Sequence, residues 1–332
     1  MFVPIVLLIV GRWTDFDWLL AGAYFIAFPM LRAVFGSAAD GAVTDWSDGE
    51  RAFLNLLPRL FGGVLLITFA WILWTISSVL HEFSVESIGF MVSSLVMSGL
   101  AACVAHDLAH RSGPWDRRSA HLISALVGYP FFIFEHLEHH KESQATDSAN
   151  CPRVDESVWS YAGRRFLVVP SQVFQRALLA NASRASTLDR VWVYLCVTVA
   201  AWAAFIVVGG WYGAAFYGLL IVGVPFLLNT ITYIQHWGLG DDAPIGQSPD
   251  EQIGWDDGCR FQSWMILNIS FHRNHHASPS APYYTYGPSA AAPKLPAEYA
   301  LMVMVCFVPA LWRRVMTPAL IRWRASRDPL AV

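Results

Sequence analysis

Histidines cluster in this sequence at spacings that suit metal ligation. Nine of the 11 histidines fall in four short segments, and they are His106, His110, His136, His139, His140, His236, His272, His275 and His276. Residues three and four apart on a helix share a face, so the members of each multi-histidine cluster can point together. One histidine near a membrane is usually an amphipathic anchor, but three clusters with helical spacing favour a metal site.

The number and type of ligands favour two iron ions. Imidazole nitrogens bind Zn, Cu, Fe and Ni, and a zinc site normally has four ligands. Nine histidines are therefore too many for one zinc and suit two ions of higher coordination number. The five cysteines are scattered without a C-x-x-C pair, so we expect neither a disulfide framework nor an internal redox module. We expect His81 and His121, which lie outside the clusters, to be structural.

The composition indicates a membrane protein. Hydrophobic residues make up 55% of the 332 residues and charged residues only 14%, whereas soluble domains carry roughly a quarter charged residues. The net charge of -3 and the lack of a basic stripe give no sign of nucleic-acid binding.

Several apolar runs are long enough to cross a bilayer core, which needs about 20 helical residues. They are residues 16–36, 60–80, 87–105 and 191–235, and the last is broken at "VVGGWYGAA", which predicts two helices joined by a tight turn. Shorter runs predict a partial first span at residues 2–10 and re-entrant or interfacial pieces at 122–134 and 300–312.

Arginines set the expected orientation. They are concentrated in residues 111–190 and 313–327, whereas the segments "HEFSVES" and "VVGGWYGAA" contain no lysine or arginine. By the positive-inside rule, the histidine-bearing segments face the cytoplasm. The chain is thus predicted to be a multi-pass protein of the inner (cytoplasmic) membrane.

Five segments together resemble a known family. "AHDLAHRSGPWDRR", "FEHLEHHKESQATDSANCPR" and "FHRNHHASPSAPY" are similar to its three histidine boxes. "TYIQHWGL" is similar to its Asn-Tyr-x-Glu-His-Tyr-Gly signature, and "LPAEYALMVMVCFVPALWRRVM" to its C-terminal segment. The family is the integral-membrane alkane hydroxylases, which include the xylene-type monooxygenases and are distant relatives of the membrane fatty-acid desaturases. The resemblance extends from about residue 16 to residue 325.

The resemblance implies an all-α membrane bundle of about six transmembrane helices, forming a single domain over residues 1–332. It implies a cytoplasmic non-haem di-iron centre whose ligands are the nine clustered histidines. It also implies O2-dependent hydroxylation of an unactivated C–H bond in a hydrophobic substrate, either a terminal alkyl or an aromatic methyl group. Since the sequence has no redox cysteine module, the two electrons come from an external rubredoxin or ferredoxin and its reductase.

The sequence departs from the family pattern at three places. The second box is His-x-x-His-His, the desaturase spacing, Gln235 replaces a common Glu, and Asp107 replaces the Glu of the first box. Carboxylates beside ligating histidines orient the ring and raise its basicity. We therefore expect the groups around the metal ligands to be Asp107, Gln235 and, in compensation for position 235, Asp147 or Asp256.

Three other functions remain open from the sequence. A lipid desaturase would use the same di-iron centre, and the second box favours it. "HDLAH" resembles the His-Glu-x-x-His helix of zinc hydrolases, although seven clustered histidines would then have no role. A metal transporter would place its ligands near the membrane midplane, whereas these clusters lie at the ends of apolar runs.

Overall fold

The fold is helical throughout the part of the chain that the structure describes. A computed structural model describes residues 1–41, 44–80, 82–142, 151–179, 185–239 and 254–326. In these residues no strand is formed, and the extended pairs are the isolated bridges Ser37–Cys259 and Asp256–Lys294. The prediction of an all-α protein is confirmed for these ranges. His81 and Asp147 lie outside them.

Thirteen α-helices occur in the described residues. They are α1 (Val3–Trp13), α2 (Leu19–Gly22), α3 (Phe28–Phe35), α4 (Asp48–Ser78), α5 (Val85–His110), α6 (Pro114–Leu126), α7 (Phe132–Glu142), α8 (Val158–Leu179), α9 (Ala185–His236), α10 (Arg260–Met265), α11 (His272–Ala277), α12 (Tyr299–Cys306) and α13 (Pro309–Ala325). A π-helical turn, Ala23–Ala27, joins α2 to α3, and a 3-10 turn covers Tyr283–Thr285.

Three helices are long and apolar enough to cross a membrane, namely α4, α5 and the stretch Arg190–His236 of α9. α4 begins well before the apolar run because Ser47 and Glu50 form a capping box that satisfies the first backbone N–H groups. Ser84 and Ser87 start α5 in the same way. The prediction of a membrane protein is confirmed in this form, while the number of crossings and the side that faces the cytoplasm stay predictions.

α9 is two helices joined by a tight turn. Gly210 has φ 54° and ψ -136°, which are not helical values. The Phe205 and Phe216 rings, one on each side of the turn, stack with centroids 5.2 Å apart. A Cβ at Gly213 would lie 1.9 Å from the carbonyl oxygen of Phe205, so the two arms approach where glycine leaves room. The predicted break in this apolar run is present.

The helix in the apolar run at residues 16–36 is shorter than the predicted transmembrane span. The helical part is Leu19–Phe35, which includes the π turn and is too short to count among the three long apolar helices. At 1.5 Å per residue it extends over about 25 Å, less than the roughly 30 Å of a bilayer core. Val3–Trp13 is also short, as expected for a partial span. The runs at 122–134 and 300–312 each extend from the end of one helix into the start of the next, and their re-entrant or interfacial placement stays a prediction.

Contacts divide the described chain into two compact units. The first unit comprises Met1–Tyr24, Trp46–Glu138 and Phe166–Leu228, and the second comprises Phe25–Asp45, His139–Arg165 and Asn229–Val332. That residues 1–332 form a single functional domain stays a prediction.

α5 is the central helix of the first unit, where α1, α2, α4 and α6 pack against it. The Ser93 hydroxyl donates to the carbonyl oxygen of Asp17 at 2.7 Å and accepts from the amide of Ala21 at 3.3 Å. A Cβ at Gly89 would lie 2.6 Å from the Trp18 ring, so that tryptophan can approach α5 only over a glycine. These contacts fix α5, whose last turn carries two of the clustered histidines.

The second unit has an aromatic core. Trp312 on α13 packs against Tyr233 and Trp237, with ring centroids 5.3 and 5.8 Å away. The three side chains are essentially inaccessible to solvent. Because Tyr233 and Trp237 flank the histidine at the end of α9, this packing holds that end of the helix in place.

Candidate metal centre

The first unit brings three of the predicted ligands together. His106 and His110 lie one turn apart at the end of α5, and His136 comes from α7. Their ligand nitrogens all lie within 4.8 Å of one another, and Nε2 of His110 is 2.8 Å from Nε2 of His136. The i, i+4 spacing therefore places the α5 pair on one face, as the sequence predicts.

The second unit contains the other six predicted ligands. His139 and His140 are in the last turns of α7, His236 ends α9, and His272, His275 and His276 lie on α11. The ligand nitrogens of His139, His236 and His276 all lie within 4.8 Å of one another.

In the second unit, the Nε2 atoms of neighbouring histidines lie at nearly equal distances from one another. Nε2 of His272 is 3.0 Å from Nε2 of both His236 and His276. Nε2 of His275 is 2.9 Å from Nε2 of His140. The same nitrogen of each ring is thus turned toward its neighbours.

These separations fit metal ligation. Two nitrogens that are each about 2.1 Å from one ion, at a right angle, lie about 3.0 Å apart. A metal ligand must also be a neutral imidazole. Burial, followed by the charges of neighbouring histidines, lowers the pKa of His139 and of His276 well below the usual value. The histidine groups therefore have the chemistry and the spacing to hold metal ions.

The loop after the undescribed segment 240–253 positions α11. A Cβ at Gly254 would lie 2.3 Å from Cδ2 of His272. The amide of Trp255 donates to the carbonyl oxygen of Gln235 at 2.8 Å. Asp256, fully buried, accepts from the amide of Arg273 at 3.2 Å. One short loop thus contacts both the end of α9 and the helix that carries three histidines.

Asp257 is a structural carboxylate that sequence reasoning missed. Its two oxygens accept from the amides of Cys259 at 2.8 Å and Tyr299 at 3.2 Å, which ties this loop to the start of α12. Burial raises the pKa of Asp257 to about 7, although the two amide donors act in the opposite direction. The available signal was a pair of adjacent acids that follows Gly-Trp.

The predicted supporting groups contact partners other than histidine rings. Asp107 accepts a hydrogen bond from Nε of Arg111 at 2.9 Å and forms an ion pair with Nη2 of the same guanidinium at 2.8 Å. The Gln235 amide donates to the hydroxyl of Tyr299 at 3.2 Å. Asp256 contacts the backbone of α11 and, at 3.6 Å, the ammonium group of Lys294. Asp147 lies outside the described residues, and any role of these groups toward a metal stays a prediction.

His276 and His121 have different surroundings. In the described part of the chain, Nδ1 of His276 is buried without a hydrogen-bond partner, so no carboxylate there orients that ring. The His121 ring stacks on Tyr194, with centroids 4.7 Å apart and planes 13° from parallel. Burial first, and then the charge of Arg190, lowers the pKa of His121 to about 4. His121 is placed as expected for a packing residue, whereas His81 is not described.

Residues 85–305 match the family model described as fatty acid desaturase. Because this match covers well over half of the 332 residues, the chain belongs to that family.

The chain is similar to several curated proteins. The chain is 24% identical to the alkane 1-monooxygenase of Pseudomonas putida, over 94% of this chain and 80% of that protein. It is 25% identical to alkane 1-monooxygenase 1 of Pseudomonas aeruginosa, over 73% of this chain and 65% of that protein. A fatty acid desaturase of Bacillus subtilis is also 25% identical, over 54% of this chain and 60% of that protein. The resemblance to the alkane hydroxylase family is confirmed, and with it the prediction that the chain is an oxidoreductase.

Proposed function

We propose that the protein is a membrane di-iron monooxygenase that hydroxylates an unactivated C–H bond of a hydrophobic substrate. The observation that carries this proposal is the convergence of histidine nitrogens. Three predicted ligands meet in the first unit. In the second unit, five of the six predicted ligands have Nε2 about 3 Å from Nε2 of a neighbouring histidine, and the ligand nitrogen of the sixth, His139, lies within 4.8 Å of those of His236 and His276. Family membership and the relatives named alkane 1-monooxygenase support the same reaction class.

Nine histidines would together hold two iron ions. They are His106, His110, His136, His139, His140, His236, His272, His275 and His276. Imidazole suits iron, and in the described residues none of the five cysteines forms a disulfide. When bound, the irons would supply the activation of O2.

The side chains around the histidines would hold and shield the centre. Trp237 and Trp255 are essentially inaccessible to solvent, and the indole of Trp255 donates to the carbonyl oxygen of Trp237 at 2.9 Å. These rings would exclude water beside His236. Asp256 would fix the backbone of α11 through Arg273. The chain's own residues would thus position the ligands, keep the imidazoles neutral and exclude water from the site.

The substrate would be a terminal alkyl or an aromatic methyl group that reaches the site from the membrane. Support comes from the names of the relatives and from three helices long and apolar enough to cross a bilayer. Two electrons would come from an external rubredoxin or ferredoxin with its reductase. We place the histidines on the cytoplasmic side of the inner membrane, because arginines concentrate in the segments next to them.

Lipid desaturation is the second candidate. It would use the same metal centre, and two observations favour it. The second cluster has the spacing His136-x-x-His139-His140, and the family model and one relative carry the name desaturase. Hydroxylation is preferred because of the "HWGL" stretch, the C-terminal segment and the alkane 1-monooxygenase relatives.

A zinc hydrolase fits the site less well. The general base would be Asp107, but this carboxylate is bound by both Nε and Nη2 of Arg111. A metal transporter is also disfavoured, because His106 and His110 lie in the last turns of α5 rather than at its middle.

Product analysis with 18O2 distinguishes these reactions. The purified protein, with iron, ferredoxin or rubredoxin and reductase, would be supplied separately with octane, p-xylene and a fatty acid. One 18O atom in an alcohol product supports hydroxylation, whereas an alkene without 18O supports desaturation. His275→Ala should abolish product, and His121→Phe, which keeps the ring packing on Tyr194, should retain it. The absence of any oxidised product with the full electron-transfer system would contradict both reactions.

A further inference from the structure

Helix α6 is an amphipathic helix at the histidine-bearing end of α5. α5 ends at His110, and α6 begins four residues later at Pro114. Ala120 and Ile123 are buried on its inner face, and the carbonyl oxygen of Ala125 accepts from the Thr198 hydroxyl at 2.8 Å. α6 is therefore held against both α5 and α9, and its outer face is accessible.

The outer face of α6 has uncompensated positive charge. Asp116, the acid of this helix, is bound at both oxygens by Arg59, at 2.7 and 2.8 Å. Arg118 lies over the Trp115 ring, with its guanidinium carbon 4.8 Å from the ring centroid. Trp115 is 73% exposed. In the described part of the chain, Arg118 forms no ion pair.

A second arginine adjoins this face from α9. Arg190 begins the apolar stretch of α9, is exposed, and forms no ion pair with a described residue. On α9, Arg190 lies one turn before Tyr194, and on α6, Arg118 lies one turn before His121. The Tyr194 ring in turn stacks on His121 of α6. Two exposed guanidinium groups therefore lie near one tyrosine, at the point where the apolar stretch starts.

We propose that Trp115, Arg118 and Arg190 bind the phosphate headgroup of an anionic phospholipid. Arginine recognises phosphate through paired N–H donors, and basic residues beside a membrane attract anionic lipids. Tryptophan prefers the level of the lipid headgroups.

The neighbouring surface favours a lipid over a soluble acidic protein. Trp192 and Val193, which follow Arg190 directly, are 50% and 56% exposed. A phospholipid would place its phosphate on the two arginines and its acyl chains along this apolar surface. An acidic soluble protein would leave the apolar residues without a partner.

The test measures lipid binding to the full-length, iron-loaded protein in detergent by native mass spectrometry. Phosphatidylglycerol and phosphatidylcholine with the same acyl chains are titrated separately. We expect the protein to bind phosphatidylglycerol more tightly than phosphatidylcholine. In the double variant Arg118→Gln/Arg190→Gln, the affinity for phosphatidylglycerol should fall about fivefold for each arginine removed. Phosphatidylcholine binding should be unchanged. Arg118→Lys/Arg190→Lys should keep most of the preference, and the matched control Arg322→Gln, an exposed arginine of α13, should keep all of it.

Two results would overturn the proposal. One is equal binding of the two lipids to the natural protein, and the other is a preference that survives Arg118→Gln/Arg190→Gln. Competition by millimolar inorganic phosphate that removes the preference would show a free-anion site instead of a lipid site. Binding of an acidic ferredoxin that requires both arginines, with no lipid preference, would assign the surface to a protein. The iron content of each variant shows that a change in lipid binding does not come from loss of the fold.

Discussion

Gly254 lies directly against the ring of His272. A Cβ at position 254 would be 2.3 Å from Cδ2 and 3.1 Å from Cγ of that ring, and 3.3 Å from the carbonyl oxygen of Gln235. His272 is 97% buried, and its Nε2 is 3.0 Å from Nε2 of His236. The absence of a side chain at position 254 therefore allows two candidate ligands from distant parts of the sequence to approach each other.

Gly254→Ala should displace the His272 ring and reduce iron binding at least severalfold. A Cβ at 2.3 Å from a ring atom cannot be accommodated without movement. Elemental analysis of the purified protein measures the loss. The matched control is Gly258→Ala in the same loop, whose Cβ would meet its nearest neighbour at 3.7 Å and should leave the iron content unchanged. Equal iron in both variants would show that this contact does not hold His272.

Asp256→Ala should destabilise the protein by about 1–3 kcal/mol, since it leaves buried donors without an acceptor. The carboxylate accepts from the amides of Arg273 at 3.2 Å and Ser289 at 3.4 Å. Asp256→Asn retains one acceptor and should cost less. Thermal denaturation in detergent, read together with iron content, measures both variants. An unchanged midpoint in Asp256→Ala would argue against a role for this residue in holding α11.

Ionisation of the Asp257 carboxyl should lower the free energy of unfolding as the pH rises from 5 to 8. Burial raises its folded pKa to about 7 from the ordinary value of 3.8, so the folded state binds the proton more tightly than the unfolded state. This stabilisation is fully present below the unfolded pKa and is lost as the pH rises through the folded pKa. It amounts to about 2–3 kcal/mol over this interval. In Asp257→Asn this part of the pH dependence of the denaturation midpoint should disappear. An identical pH dependence in the variant and the natural protein would refute this role of Asp257.

Gly213→Ala should disrupt the turn of α9. Its Cβ would lie 1.9 Å from the carbonyl oxygen of Phe205, so the two arms would have to separate. We expect the free energy of unfolding to fall by about 1–3 kcal/mol. The variant should then show a lower yield and a lower denaturation midpoint. Gly218→Ala, five residues further along the same arm, meets no atom within 4 Å and should be neutral or stabilising. If both variants behave alike, close approach at Gly213 is not required.

Local features of the sequence predicted much of the fold. The i, i+4 spacing of His106 and His110 places them on one helical face, and the glycines near residue 210 mark the break in α9. The apolar run at residues 60–80 does not show where α4 begins, because the Ser47–Glu50 capping box starts the helix well before the run. The region 16–36 was predicted as one span, but a π turn and its short length set it apart from the long apolar helices.

Long-range features of the site could not be read from the sequence. The approach of His140 to His275 joins residues 135 positions apart, and no local spacing encodes it. The contact of Gly254 with His272 likewise depends on how a loop crosses α11. The amide of Gln235 donates to Tyr299, 64 positions away, and its expected role beside His236 stays a prediction. Such partners are set by tertiary packing.

The iron content of two single-ligand variants tests the central claim most directly. His136→Ala removes a predicted ligand of the first unit and His276→Ala a predicted ligand of the second unit, with His121→Phe as the control. If nine histidines hold two irons, elemental analysis should find about two irons per chain in the natural protein and in the control, and clearly fewer in both ligand variants. One zinc per chain, or an iron content that neither substitution changes, would contradict the di-iron centre.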